Sequence, residues 1–505
     1  MNPLHQLDLR VKTRPILLFV ISWVFVAVIS CWNSILTPFY CADSCVFSVM
    51  ADGWMHGLVP YKDMFDHKGP FVYLVYSAAN LDNNGRFFLT LVQALFMTAN
   101  ACLIYRIGRL FVSPAASWIC VLASYVLVAA CGDSSFTTEE ISLPFSLLPL
   151  YLSLSQGLKT DWKASRLPAY IPLVCGICLG IHFLVRMNNA VTVCSILGVY
   201  AILVFKDWRT YHSLSLRLIT CVLGGFLLPT LPFIIYFAVH NAWHDYIYAN
   251  FLFNFRYAQD GSYENLLTQT GRCIFLLPLI IFGCINIRTK IISHFTYFFI
   301  LFLAVCSFLA SSMGWGYMHY TLLALPAYVL SIALTLKLAK FGRGRQVLHR
   351  LFWIAMVLLP MAPFCRLAAR HAKLGAQAAI CAGDVSSKAY GQYANRKAIL
   401  DLTKRIPESE KKGLLAINGF GEVYRYLDIQ PPFKYFMLQD MLSGMTKGEI
   451  GKEVSGYISQ ALPKWVCVKG EPQEFECALA GQYRIIGKQG DYSLYMRIPH
   501  TGQPQ

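Results

Sequence analysis

Residues Asp43 to Tyr73 read DSCVFSVMADGWMHGLVPYKDMFDHKGPFVY. They follow an apolar segment that begins just after Arg14 and ends near Leu36, and they are unusually polar for this chain. Asp43, Asp52, Asp63, Asp66, His56, His67, Lys62 and Lys68 crowd into the stretch. Ionisable groups beside a membrane span are costly and mark a site by default. Phe47, Met50, Trp54 and Leu58 recur at helical spacing. The first half therefore reads as an amphipathic helix, either lying in the membrane interface or packed on other protein. Gly57 and Pro60 end it, and PYKDMFDHKGP turns the chain back toward the membrane, with Gly69-Pro70 as punctuation.

The surrounding composition sets that stretch in a membrane protein. Of 505 residues, 56% are hydrophobic and only 14% charged, against about 25% charged in soluble chains. The net charge of +16 is read as basic residues retaining cytoplasmic loops, not as a nucleic-acid surface. Apolar segments fall near 16–36, 87–105, 115–131, 141–157, 168–185, 190–205, 218–239, 273–287, 292–311, 321–336 and 351–365. The first reads as a span, not a cleaved signal peptide. With the N-terminus cytoplasmic, the inside loops hold Arg10, Lys12 and Arg14, then basic clusters around 106–109, 159–166, 206–217, 288–290 and 337–350. The outside loops between spans carry only Lys62, Lys68, Arg86, Arg186, Arg256 and Arg272. This asymmetry obeys the positive-inside rule, and an odd number of spans puts residues 366–505 outside.

The expected fold class is an α-helical polytopic membrane protein of about eleven transmembrane helices, with a small C-terminal α/β extracytoplasmic domain. Its boundaries are expected at 1–366 for the membrane part, with a first outside loop over 37–86, and 367–505 for the outer domain. In that domain, helical spacing over Tyr393–Leu402 precedes the short apolar runs 414–418, 464–468, 483–487 and 492–498. QGD at 489–491 reads as a hairpin turn. Cys175 and Cys178 have C-x-x-C spacing but lie in LVCGICLG, and read as small buried hydrophobes. Cys467 and Cys477 are a candidate pair only in an oxidising compartment.

The polar motifs gather on the outside. They are Asp43 just past the first span, Gly57 to Pro70, Thr137 to Glu140 at the head of the fourth span, Arg186 and Asn188 closing the fifth, and His319-Tyr320 with Pro326 opening a late span. In this order and topology the chain resembles the GT-C superfamily of polytopic glycosyltransferases. In particular it resembles the bacterial branch similar to protein O-mannosyltransferases and the lipid A aminoarabinose transferase. It departs from that pattern where Asp43 is followed by Ser44 instead of a second acid, and where His319-Tyr320 replaces an Arg-Tyr. The resemblance implies transfer of a sugar from a polyprenyl-phosphate carrier to an acceptor hydroxyl outside a bacterial plasma membrane. It implies inversion at the sugar and an acid of the first loop as general base.

That chemistry has three needs. A carboxylate must take the acceptor's proton, and Asp43 is the candidate catalytic residue; it could equally cap the helix starting at Ser44. Cations must face the leaving phosphate, and Lys68, Arg186, Arg256 and His319 are candidates. An arginine fork suits phosphate oxygens best, while the bland alternative for Arg186 is snorkelling. Finally, Asp66, His67, Glu139, Glu140, Tyr61 and Tyr320 could hold sugar hydroxyls, with Trp315 as a stacking face. No cofactor is certain; a divalent metal between Asp43 and Glu139 is conceivable, though no spacing requires it. The partners expected are a polyprenyl-phosphate sugar, membrane lipid, and a glycan, lipid or protein acceptor, with no nucleic acid. A transporter or flippase of a lipid-linked saccharide is the alternative. It would place charges at mid-membrane depth and use paired broken helices, whereas here charge gathers at one face. A scaffold role for the outer domain has no specific support, and no Walker A motif points to an ATP-driven pump.

Overall fold

The computed structural model describes residues 15–29, 35, 42–82, 86–131, 136–205, 212–258, 263–313, 316–339, 346–380, 391–419, 421–437, 447–470 and 479–499. Helix α1 (Pro15–Ile29) is followed by α2 (Ala42–Met55) and α3 (Pro70–Ala79), with the PYKDMFDHKGP loop between the latter two. Helices α4 (Phe87–Arg109), α5 (Pro114–Cys131), α6 (Thr138–Thr160), α7 (Tyr170–Val185), α8 (Val191–Phe205) and α9 (His212–Val239) come next. The short α10 (Trp243–Ile247) and α11 (Phe253–Ala258) flank a π-helical turn over Tyr248–Leu252. Then come α12 (Tyr263–Arg272), α13 (Leu277–Thr289), α14 (His294–Ser311), α15 (Leu325–Leu338) and α16 (Gln346–Ile380).

Among the described residues, 8 helices are long and apolar enough to cross a membrane, or 9 if α12 and α13 form one span bent by 66°. Helices lie on all eleven of the expected apolar segments, but those of α1 and α7 are short. Helix α7 stops at Val185 because Arg186 takes an extended backbone, φ −167° and ψ 126°. Helices α7 and α9 meet through glycines: a Cβ on Gly176 would overlap the Val222 carbonyl, and one on Gly225 the Leu173 carbonyl. Such close backbone approach is how membrane helices gain packing without a hydrophobic drive between them. The span from Met318 to Leu338 is 94% buried and forms the centre of the bundle.

The C-terminal part comprises α17 (Gly391–Thr403), α18 (Glu422–Leu427), α19 (Lys447–Ala461) and strands β1 (Leu415–Ile417), β2 (Trp465–Lys469), β3 (Tyr483–Gln489) and β4 (Tyr492–Arg497). The strands form one sheet in the order β1-β2-β4-β3. Strand β1 is parallel to β2, and the β2–β4 and β4–β3 pairs are antiparallel. The four strands fall on the four apolar runs, and the β3–β4 turn carries Gly490 at φ 56°, as the QGD reading requires. Helix α16 runs on past 366 without a break to Ile380. Cys467 is free, and burial pushes its thiol up to about 12; Cys477 lies outside the described residues.

The amphipathic helix α2 packs on protein. Phe47 and Met50 are buried, and so are Ser44 and Ser48. Trp54 donates its indole N–H to the Tyr236 hydroxyl at 2.8 Å. Gln430 of the C-terminal part donates to Asp52.

Candidate functional site

The ends of three elements distant in sequence meet at Arg186. Its guanidinium gives Nη1 to Glu139 Oε1 at 3.2 Å and Nη2 to the Tyr320 hydroxyl at 2.6 Å. Its Cζ lies 4.6 Å from the Tyr320 ring centroid. The extended backbone that ends α7 aims this side chain, and a 3-10 turn over Met187–Ala190 follows at once. Glu139 is delivered by the first turn of α6, whose N-cap is Thr137, accepting from the Glu140 N–H. Thr138 donates its hydroxyl to Glu139 Oε2 at 3.0 Å. Tyr320 and His319 come from the 3-10 turn that leads into α15. His319 Nε2 is 4.0 Å from Glu139 Oε2, and its ring stacks on Tyr317. Buried ions are tolerable only when paired and hydrogen-bonded in this way. Asn189 ties the corner, donating to the Thr138 carbonyl at 3.0 Å and to Ser142 Oγ at 2.8 Å.

A second cluster lies in the loop before α3. His67 N–H donates to Asp66 Oδ1 at 2.7 Å, and the Tyr73 hydroxyl lies 2.9 Å from Asp66 Oδ2 and 3.0 Å from the Lys68 carbonyl. Lys68 Nζ is 2.7 Å from His67 Nε2 and 3.8 Å from Asp66 Oδ1. An ammonium can only donate, so His67 Nε2 accepts and the ring is neutral. Burial, then the charges of Lys68 and Arg186, hold the His67 pKa well below the ordinary 6.5. That Arg186 is felt here joins the two clusters. So does the backbone: Gly69 N–H donates to the Val185 carbonyl at 2.9 Å. A Cβ on Gly69 would overlap the Leu184 carbonyl, so this contact requires glycine. Asn254 of α11 donates to the His67 carbonyl at 2.8 Å, and the C-terminal part meets the loop through Phe65 N–H to the Lys434 carbonyl at 2.9 Å.

Asp43 lies in the first turn of α2, inside the helix and not as a cap ahead of Ser44. The Tyr320 hydroxyl lies within electrostatic range of both Asp43 and Glu139. Asp43, Glu139, Arg186, His319, Tyr320 and the Asp66–Lys68 loop thus share one neighbourhood.

Three of the anticipated residues lie elsewhere or are otherwise engaged. Glu140, next to Glu139, faces α4, where Gln93 donates to its carboxylate at 3.0 and 3.2 Å. Arg256 faces Glu449 of α19 at 3.6 Å, the one side chain partly exposed and the other largely so. Tyr61 is fully buried at φ 69°. It spends its hydroxyl proton on the Lys68 carbonyl at 2.7 Å, and burial raises its pKa well above the ordinary 10.0; it shapes the loop. Trp315 lies outside the described residues. Among the described residues, no group of three or more His, Cys, Asp or Glu side chains is placed to hold a metal ion. The residues that sequence reasoning passed over are Tyr73, Tyr76 and Asn80. Their spacing of three and four places them on one helical face, the signal that would have picked them out.

Residues 67–236 match the family model described as dolichyl-phosphate-mannose-protein mannosyltransferase. Over the whole chain the fold is similar to ArnT from Cupriavidus metallidurans bound to undecaprenyl phosphate. The TM-score is 0.54 at 14% identity, covering 98% of this chain and 100% of that one. Against the apo form of that protein the TM-score is 0.59 at 13% identity, covering 97% and 99%. The apo oligosaccharyltransferase of Archaeoglobus fulgidus matches with a TM-score of 0.52 at 12% identity, over 97% of this chain and 75% of that one. No curated protein matches by sequence. The chain is thus a multi-pass membrane protein with the fold of ArnT and of the archaeal oligosaccharyltransferase, similar over residues 67–236 to the family described as dolichyl-phosphate-mannose-protein mannosyltransferase.

Proposed function

We propose that the chain transfers a sugar from a polyprenyl-phosphate carrier to an acceptor hydroxyl, with inversion, at the outer face of a bacterial plasma membrane. The N-terminus is cytoplasmic in this reading, and residues 367–505 form the extracytoplasmic domain. The bond from the acceptor oxygen to the sugar's anomeric carbon forms as the bond to the carrier phosphate breaks. The acceptor proton goes to the Asp43 carboxylate, and polyprenyl phosphate leaves with the electron pair.

The observation that carries the reading is Arg186, a buried guanidinium oriented beforehand by Glu139 and Tyr320 in the neighbourhood of Asp43. Fixed cations aimed at developing charge need no reorganisation as the reaction proceeds. Lys68, held against His67, supplies a second positive charge, and His319 flanks Glu139. Asp66 and His67 fix Lys68 and line the sugar side. A lipid-phosphate donor also fits what is bound to proteins of this fold: undecaprenyl phosphate in ArnT, and a dolichol-phosphate with an inhibitory peptide in archaeal AglB.

The test uses purified full-length protein in liposomes, supplied with undecaprenyl-phosphate hexoses and pentoses carrying labelled sugar, and an envelope extract as acceptor source. Free undecaprenyl phosphate released together with label in the acceptor fraction is the expected result. Label crossing the bilayer still attached to its carrier, without release, would replace the transferase with the transporter reading.

A further inference from the structure

Helix α3 carries a row of polar tips on its buried face, and each ties down a different part of the site. Tyr73 reaches the Asp66–Lys68 loop. Asn80, at the helix end, donates to the Ser48 carbonyl of α2 at 2.9 Å and accepts from the buried Arg425 of α18 at 3.4 Å. Tyr76 lies between them and is fully buried. Its hydroxyl is 2.9 Å from the Phe136 carbonyl and 3.1 Å from Ser44 Oγ. A carbonyl can only accept, so the one phenolic proton goes to Phe136 and the phenolic oxygen accepts from Ser44. Ser44 directly follows Asp43. Phe136 directly precedes Thr137, the N-cap of the helix turn that holds Glu139. One hydroxyl therefore spans the two segments that present the two carboxylates near Tyr320. The ring is wedged as well, edge-on to Phe47 at 5.3 Å and tilted against Phe136 at 5.9 Å.

We infer that Tyr76 is a positioning residue that sets the distance between Asp43 and Glu139 through its hydroxyl. This rests on the reading of Asp43 as general base. Displacing a reacting group by about 1 Å can cost roughly 10²-fold in rate, so the loss of one hydroxyl at this junction is felt in turnover. Tyr76→Phe is the clean probe, because it keeps the ring and removes only the oxygen.

The experiment compares wild type, Tyr76→Phe, Ser44→Ala, the double variant and Asp43→Asn, all full-length in nanodiscs. Hydrogen exchange is followed over residues 42–48 and 136–142. Turnover is measured with whichever undecaprenyl-phosphate sugar wild type consumes. The expected result for Tyr76→Phe is faster exchange at both segments and a fall in kcat of about tenfold to hundredfold. KM for the donor should be unchanged, and adding Ser44→Ala should cost little more, because both substitutions remove one link. Unchanged exchange at either segment would overturn the proposal, as would a rise in KM with kcat preserved. Should Tyr76→Phe fail to fold, Ser44→Ala carries the same predictions for its end of the link. Full turnover in Asp43→Asn would sink the general-base reading itself, whatever Tyr76→Phe does to exchange.

Discussion

Arg186 and Arg256 both fall in loops that the charge pattern puts outside the membrane, and both are arginines that a sequence reader would aim at a phosphate. Their surroundings differ completely. Arg186 is 9% exposed at its side chain and meets a carboxylate that is 1% exposed; its second arm is taken by Tyr320. Arg256 is 41% exposed and its partner Glu449 67%. The first is a charge held at fixed direction in a dry place, where it acts strongly on a nearby anion. The second is screened by water and salt, and links α11 to α19. Position in the sequence made them alike; burial and the second hydrogen bond separate a charge held in place from a surface contact.

Four substitutions or conditions sharpen that contrast, from large effect to small. Arg186→Gln strands Glu139 in the core. Breaking a buried pair costs about 3–5 kcal/mol, and the loss of a charge-stabilising donor should lower kcat by about 10²–10³-fold. Thermal unfolding and turnover measure the two losses. A variant with native turnover would place Arg186 among structural residues only. Gly69→Ala drives a methyl into the Leu184 carbonyl where the loop meets α7. Overpacking here should destabilise by about 1–3 kcal/mol, read as a lower unfolding midpoint; a midpoint equal to wild type would mean the loop docks more loosely than described.

A smaller effect comes from pH. The folded pKa of His67 lies below its ordinary 6.5, so this residue's stabilisation is complete above that pH. Below it the unfolded chain takes a proton that the folded site refuses, and stability falls by at most about 1.4 kcal/mol per pH unit. Midpoints recorded between pH 8 and 5 should drop more for wild type than for His67→Gln, and parallel curves would contradict the neutral, buried imidazole. The smallest effect is expected for Arg256→Ala, about 0–1 kcal/mol, with donor turnover unchanged. A large loss of activity there would bring Arg256 back into the site.

The membrane architecture was legible because apolar runs and their basic flanks follow directly from the cost of burying charge in lipid. Helices lie on all eleven segments, yet α7 falls short of a full span. Its end is set by the extended backbone at Arg186, which a hydropathy reading cannot see. The hairpin turn at QGD was legible from its own residues. Within the site, Glu139, Arg186, His319 and Tyr320 could be gathered because each opens or closes an apolar segment on one side of the membrane. Glu140 could not be told from Glu139, since neighbouring residues on a helix face directions about 100° apart and only the packing of α4 decides which one meets Gln93. Tyr61 looked like a sugar ligand, but a left-handed backbone turned it inward. Tyr76 offered no signal beyond its spacing, because its role depends on Ser44 and Phe136, thirty-two and sixty residues away.

The most direct test of the account is the rate of carrier release by wild type and Asp43→Asn in liposomes, with carrier binding measured in parallel. If Asp43 is the general base, Asp43→Asn binds the undecaprenyl-phosphate sugar as wild type does but releases undecaprenyl phosphate about 10²–10⁴-fold more slowly. Equal release by the two proteins would remove Asp43 from the mechanism and move the search for the base to Glu139 and Asp66.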